Sequence, residues 1–487
     1  MIGIVSYGAY LPRLRLNRKH MAAANAWMDS ALLAYGKGER TMANWDEDSI
    51  TMAVEAARDC LTGQDRRSIQ ALYFASKSLP FADRQNATIV ATALNLSEEL
   101  ATLDVTASQK AATSGLLAAL NAAKAMGENV LFTAADKCRT KSAGVQEMRF
   151  GDGAAALLLG SGEVVAEFLG GHSASVDFVD LYRGQNRPFD YVWEDRWIRD
   201  EGFRKIVPPV ITRALEKTGV KPDQVNHFVL PCVYDGIAAG IAKKAGIRPE
   251  AVRDNLAAVC GETGAAHAIV MLVDALQDAT PGQILLISVF GQGCDALVFR
   301  ATERLAALPR RVGVKGSLAR RKEETNYLKF LTFNGLVTQE RGLRAEDNPQ
   351  TALSMLYRKR KMVLGLVGGL CPKCNTAQFP KAGICVNPEC KAVGPQEDYP
   401  FADLLARIAS WSADALAYSI DPPCHYGMVQ FDGGGRFMAD FTDCDVGSVE
   451  VEMPVRMVFR ILGVDEMRGM TRYFWKAAPI AASDKEN

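Results

Sequence analysis

Within the first 300 residues one order of elements occurs twice: a helix of small residues, an apolar strand, a glycine turn and a second apolar strand. In the first copy the helix follows Gly115, the strand is VLFTAAD (Val130–Asp136), the turn is Gly151-Asp152-Gly153 and the closing strand is AAALLLG. In the second, TGAAHAIVMLVDALQDA (Thr263–Ala279) leads to ILLISVF (Ile284–Phe290), the turn Gly291-Gln292-Gly293 and CDALVF. A repeat on this scale predicts two halves of one architecture. Strands that are apolar throughout, rather than alternating, are buried on both faces, so a layered α/β/α fold is expected. The turn glycines suit positive φ and also a backbone that approaches a substrate, which makes Gly291 and Gly293 candidate contacts.

The stretch DVTASQKAATSG (Asp104–Gly115) runs straight into LLAALNAAKAM. A strand, a short turn and a helix N-terminus form a device for presenting one side chain, here Gln109. The helix dipole favours negative charge at that point, and a thiolate placed there would be activated. In this region the chain resembles the hydroxymethylglutaryl-CoA synthase and ketoacyl synthase III branch of the thiolase superfamily. There the turn reads roughly D-L-x-x-x-C-K-A-G-T, and the Cys carries the acyl group. Counting from Asp104 through Lys110 and Thr113 puts Gln109 at the Cys position.

The resemblance implies a duplicated five-layered α/β/α/β/α thiolase-like fold with halves at 1–165 and 166–303. It also implies coenzyme A or acetyl-CoA as substrate, and a homodimer paired across the strand near Ala101–Thr106. The family's His motif, roughly H-x-P-N-x(7)-A-K-K, counts back from Ala242-Lys243-Lys244 to Pro231, with Cys232 and Tyr234 alongside and His227 four residues earlier. Its G-N-T Asn falls on Glu262 of Gly261-Glu262-Thr263, and its acidic base in A-T-E-S-P falls on Lys77. Four polar positions have changed together on a retained scaffold.

The replacements still compose a chemical site. The Gln109 amide can donate to a carboxylate or an enolate oxygen, and Glu262 can act as general base. His267 shares a helix face with Thr263 and suits a second acid or base, or a packing histidine. Lys77 and Tyr234 suit a substrate carboxylate, a phenol or a CoA phosphate. Cys232, Cys260 and Cys294 are candidate substitutes for the missing nucleophile, although a lone buried Cys usually behaves as a small hydrophobe.

After Arg300 comes a weakly patterned stretch carrying Arg310, Arg311, Lys315, Arg320, Arg321 and Lys322, read as a solvated connector that also suits CoA phosphates. With helices near Tyr327–Glu340 and Thr351–Leu364 it forms a linker over 304–365. Cys371, Cys374, Cys385 and Cys390 then give C-x2-C-x10-C-x4-C, the spacing of a structural Zn²⁺ ribbon (366–397) with no open coordination position. Short β-rich runs such as YGMVQF and VEVEMPVRMVFRIL predict a small OB-like β-barrel and tail over 398–487. Ribbon plus barrel resembles the acyl-CoA-associated zinc-ribbon/OB proteins that partner thiolase-family enzymes.

Acidic and basic residues balance at 56 each, and the barrel lacks a basic groove with interleaved aromatics, so no nucleic-acid partner is expected. No apolar run spans a bilayer and the start reads as strand and loop, so the expected location is the cytoplasm, without membrane contact. Eleven cysteines, four of them in a metal-like cluster, fit a reducing compartment. The leading expectation is a CoA-dependent carbon–carbon bond enzyme acting on a β-keto or β-hydroxy acid or acyl-CoA. It would run by retro-Claisen acyl transfer without a Cys acyl-enzyme. The alternatives are a retro-aldolase, a hydroxymethylglutaryl-CoA synthase-like condensing enzyme and a non-catalytic acyl-CoA-binding scaffold.

Overall fold

The computed structural model describes residues 1–340 and 350–480; the tail expected after the barrel lies largely outside them. Two compact units emerge. One comprises Met1–Asn44, Asp48–Thr88 and Glu99–Leu331, and the other Trp45–Glu47, Ile89–Glu98 and Thr332–Asn487.

The first unit is built on nine strands: β1 (Ile2–Tyr10), β2 (Ile69–Ala75), β3 (Ala101–Val105), β4 (Asn129–Asp136), β5 (Gly153–Ser161), β6 (Ala166–Ser175), β7 (Val225–Val229), β8 (Ile284–Phe290) and β9 (Gly293–Ala301). They hydrogen-bond in the order β7-β8-β9-β6-β1-β5-β4-β2-β3. The repeat is visible in the ladders. The hairpin-like pair β4–β5 is antiparallel, as is β8–β9, while β4 runs parallel to β2 and β8 parallel to β7. Within the large sheet the halves meet where β1 pairs with β6, at Gly3↔Glu167 and Ile4↔Ala166.

Four helices complete the layers: α1 (Ser49–Cys60), α2 (Ala111–Met126), α3 (Arg204–Thr218) and α4 (His267–Asp278). Helices α2 and α4 pack on each other and on strands of both halves, α1 covers β1 and β5, and α3 covers β6 and β9. This is the five-layered α/β/α/β/α arrangement. Its core has the central helices between apolar strand faces, including Leu116, Leu120, Ile269, Leu272, Phe132 and Leu157, all essentially inaccessible. At ~25 cal/mol per Å² of buried apolar surface, such residues dominate the folding free energy.

The stretch after Arg300 is not a loose connector. Gly313–Ala319 is a helix, and Lys322–Glu324 adds a parallel strand beside Leu14–Asn17. Its cations are committed internally: Arg311 donates to Ser6 Oγ (3.0 Å), Lys315 pairs with Asp278 and Arg321 with Glu39. Those residues are thereby withdrawn from the expected role at CoA phosphates.

In the second unit, strands Val367–Leu370, Ala377–Gln378 and Glu397–Pro400 form a small sheet around the four cysteines. Five antiparallel strands follow: β10 (Leu405–Asp414), β11 (Cys424–Phe431), β12 (Arg436–Asp440), β13 (Pro454–Asp465) and β14 (Met470–Pro479), in the order β12-β11-β10-β13-β14. Trp475 and Phe459 fill its interior at 5.4 Å. Among the described residues no helix is long and apolar enough to cross a membrane.

Candidate active site

The turn before α2 is held by the other half of the repeat. Ala107 takes φ +74°, a left-handed conformation that costs a non-glycine residue energy and persists only under tertiary constraint. The constraint comes from the second glycine turn. Ser108 Oγ donates to Gly291 O (3.0 Å), and a Cβ on Gly291 would sit 2.7 Å from Gln109 Cβ. Asp295, just past that turn, accepts from Thr113 Oγ1 (3.0 Å) and Ser114 Oγ (2.7 Å) in the first turn of α2 and pairs with Lys110 (3.3 Å). An anion beside the start of a helix complements its dipole.

The reciprocal contact holds Glu262. Its N–H donates to Arg149 O (3.0 Å), and its carbonyl accepts from Gly151 N–H (2.9 Å) in the first glycine turn. Each half thus clamps the reactive turn of the other.

Gln109 and Glu262 meet on one cavity of about 100 Å³, which is largely apolar and lined by Phe150, Phe203 and Phe290 among others. The Gln109 Oε1 is buried there and has no hydrogen-bond partner among the described residues. An amide can present either end after a half-turn, so this position offers a donor or an acceptor. Burial raises the Glu262 carboxyl to about 7, with Lys77 and Arg149 pulling it down and Asp180 pushing it up. Tyr234 is also on the cavity. Its hydroxyl donates to Asp195 Oδ1 (3.1 Å), Asp195 pairs with Arg149 (3.2 Å), and Arg149 lies over the Tyr234 ring. Burial, then Asp195, holds the Tyr234 phenol protonated.

Other candidates fall elsewhere. His267 is fully buried off the cavity: Nδ1 accepts from Thr263 N–H (3.2 Å) and Nε2 faces Asn255 O (2.9 Å). Burial lowers it to about 4, so it is a neutral packing histidine and not a second acid or base. His227 is tied to Gln283 (2.8 Å) within β7. Cys232 reaches the cavity, but burial pushes its thiol to about 12. Cys294 is inaccessible behind Ser288, again near 12, and Cys260 is buried near 11. None of these three has the electropositive, open setting of a reactive thiol.

Lys77 does not line the cavity; its ammonium lies 3.9 Å from Asp190 and is the first charge acting on Glu262. Gly291 and Gly293 do not line it either. Gly293, at φ +113°, lies where a Cβ would strike Ala174 O at 2.0 Å, so both glycines serve backbone approach. Sequence reasoning missed Arg149, Asp180 and Asp195. Arg149 was discoverable, since it lies two residues before the first glycine turn, whereas Asp180 and Asp195 sit in a stretch with no periodic signal.

The four cysteines of the second unit do converge. Their sulfurs lie within 4.8 Å of one another, with Cys374–Cys385 at 3.5 Å and Cys371–Cys390 at 3.9 Å. Sulfurs at ~2.3 Å from a tetrahedral zinc are ~3.8 Å apart, so the residues present fit the ion.

A family model of the 3-oxoacyl-[acyl-carrier-protein] synthase III C terminus matches residues 215–300, and a model of the ChsH2 C-terminal OB-fold domain matches 406–460. The chain carries a thiolase-type domain similar to those of hydroxymethylglutaryl-CoA synthases and ketoacyl synthase III, followed by an OB-fold domain. Hydroxymethylglutaryl-CoA synthase of Methanocaldococcus jannaschii is 28% identical over 345 residues, covering 68% of this chain and 98% of the relative. That of Aeropyrum pernix is 29% identical over 299 residues, covering 60% and 82%. A solved hydroxymethylglutaryl-CoA synthase complexed with CoA superposes at TM-score 0.60 with 16% identity, over 72% of this chain and 95% of that one. 3-Oxoacyl-[acyl-carrier-protein] synthase III from Aquifex aeolicus superposes at 0.55 with 21% identity, over 62% and 100%. In this thiolase-type domain the matched C-terminal half carries Glu262, and Gln109 belongs to the other half.

Proposed function

We propose that this chain is a CoA-dependent enzyme that breaks or makes a carbon–carbon bond next to a thioester carbonyl, without a covalent acyl-enzyme. The observation that carries the reading is the meeting, on one cavity, of Gln109 at the Cys position and the Glu262 carboxyl at about 7. A thioester oxygen takes the Gln109 N–H as its charge develops, and Glu262 moves the proton at Cα. In the retro-Claisen direction the thiol of free CoA adds to the β-carbonyl of a β-ketoacyl-CoA. The Cα–Cβ pair departs to Cα, and the enolate collects the proton that the thiol gave up through Glu262. No enzyme thiol is needed, and Cys232 stays protonated at neutral pH.

The relatives that are hydroxymethylglutaryl-CoA synthases favour a second reading, condensation of that type. Incubation with acetyl-CoA followed by intact-mass measurement separates the two. No adduct is expected, and a stoichiometric acetyl group on Cys232 or Cys294 restores the acyl-enzyme route. If β-keto and β-hydroxy acids and acyl-CoAs all go unturned while CoA binds, the chain is an acyl-CoA-binding scaffold.

We further propose a structural Zn²⁺ held by Cys371, Cys374, Cys385 and Cys390, which suits the reducing cytoplasm. We also propose a homodimer through β3, an edge strand of the large sheet with Leu103 exposed.

A further inference from the structure

The cavity holds a second carboxyl that the reading above leaves idle. Asp180 follows β6 and is 5% exposed, yet it lines the same cavity as Gln109 and Glu262. Its carboxylate makes no ion pair among the described residues. The groups acting on it are the backbone N–H of Leu181, its own N–H and the more distant Lys77. The neighbouring charges are otherwise committed: Lys77 and Arg183 to Asp190, and Arg149 to Asp195, which also takes the Tyr234 hydroxyl. A buried carboxyl without a cationic partner is costly to keep.

Resting on the proposed thioester chemistry, we infer that Asp180 is the second proton carrier of the site and serves the β-oxygen of the substrate while Glu262 serves Cα. Two carriers with one oxyanion donor make an aldol-type exchange the reaction the cavity suits: a β-hydroxyacyl-CoA on one side, a free aldehyde or ketone and a shorter acyl-CoA on the other. The step balances without a further reactant. Asp180 takes the hydroxyl proton, and the O–H pair becomes the carbonyl π bond. The Cα–Cβ pair passes to Cα and spreads into the thioester oxygen, which takes the Gln109 N–H. Glu262 then protonates Cα, and exchange with solvent returns the proton from Asp180 to Glu262. Burial raises both carboxyls, Asp180 to about 6 and Glu262 to about 7, so each can take up and release a proton near neutral pH. The Phe150, Phe203 and Phe290 lining, with Ile198 and Val192, selects an apolar group on the β-carbon.

The test uses the full chain with two probes, acetyl-CoA in D₂O and 3-hydroxy-3-phenylpropanoyl-CoA, whose cleavage gives benzaldehyde and acetyl-CoA. The natural protein should place deuterium on the acetyl Cα and release benzaldehyde. Asp180→Asn should retain the exchange, which shows that it is folded, and lose cleavage by about 100-fold or more. Glu262→Gln should lose both. Cleavage at the natural rate in Asp180→Asn overturns the assignment, and so does loss of exchange together with cleavage. A natural protein that exchanges deuterium but cleaves only β-ketoacyl-CoA with free CoA also overturns the aldol assignment and leaves the thioester reading standing. Absence of both exchange and cleavage overturns the reading on which this inference rests.

Discussion

Glu262→Gln should make the protein more stable and slower at once. Burial raises this carboxyl from the ordinary 4.5 to about 7. Below pH 4.5 both folded and unfolded chains hold the proton, and the group has no effect on stability. Between 4.5 and 7 the unfolded chain ionises while the folded chain stays protonated, so ionisation favours unfolding and stability falls as pH rises. Above 7 the loss levels off. At 1.36 kcal/mol per pH unit of separation the ceiling is ~3 kcal/mol. Glutamine keeps the shape and cannot ionise. Denaturant unfolding of both proteins should therefore differ by under ~1 kcal/mol at pH 5 and by ~2–3 kcal/mol at pH 8, with the variant the more stable. Turnover should fall by about 10²–10⁴-fold. An equal stability difference at both pH values, or a variant less stable at pH 8, would refute the argument that Glu262 is held in a desolvating cavity.

Gln109→Ala should lower kcat by about 10²–10³-fold with little change in KM, because an oxyanion donor acts mainly in the transition state; steady-state kinetics check this. Gly291→Ala should have a similar kinetic effect by displacing the Gln109 turn, since the new Cβ would lie 2.7 Å from Gln109 Cβ, and acetyl-CoA exchange in D₂O reads it out. Elemental analysis should give about one Zn per chain, and Cys371→Ser together with Cys385→Ser should abolish it. Light scattering at micromolar concentration should give twice the chain mass, and Leu103→Lys in the β3 edge should shift it toward one chain.

Periodicity and spacing determined a great deal here. The twice-used order of helix, strand, glycine turn and strand specified the layered halves, because a strand buried on both faces must be apolar at every position and only a helix-covered sheet provides such burial. The four-cysteine spacing specified a closed thiolate cluster for a similar reason, since ligand geometry is local to two short turns. The turn from Asp104 to Lys110 likewise showed which side chain is presented at the start of α2.

What surrounds those side chains was decided by contacts that a linear reading cannot contain. His267 has the right spacing on α4, but Thr263 and Asn255 occupy both of its nitrogens. The cations at Arg311, Lys315 and Arg321 resembled a free basic stretch until each met a partner hundreds of residues earlier or on another element. Asp180 and Asp195 carry no motif at all, and they reach the cavity only because the loop after β6 folds back over it. Proton affinity follows the same rule. It depends on what surrounds a carboxyl in space, so the sequence supplied Glu262 as a candidate and only the packed cavity moved it to about 7.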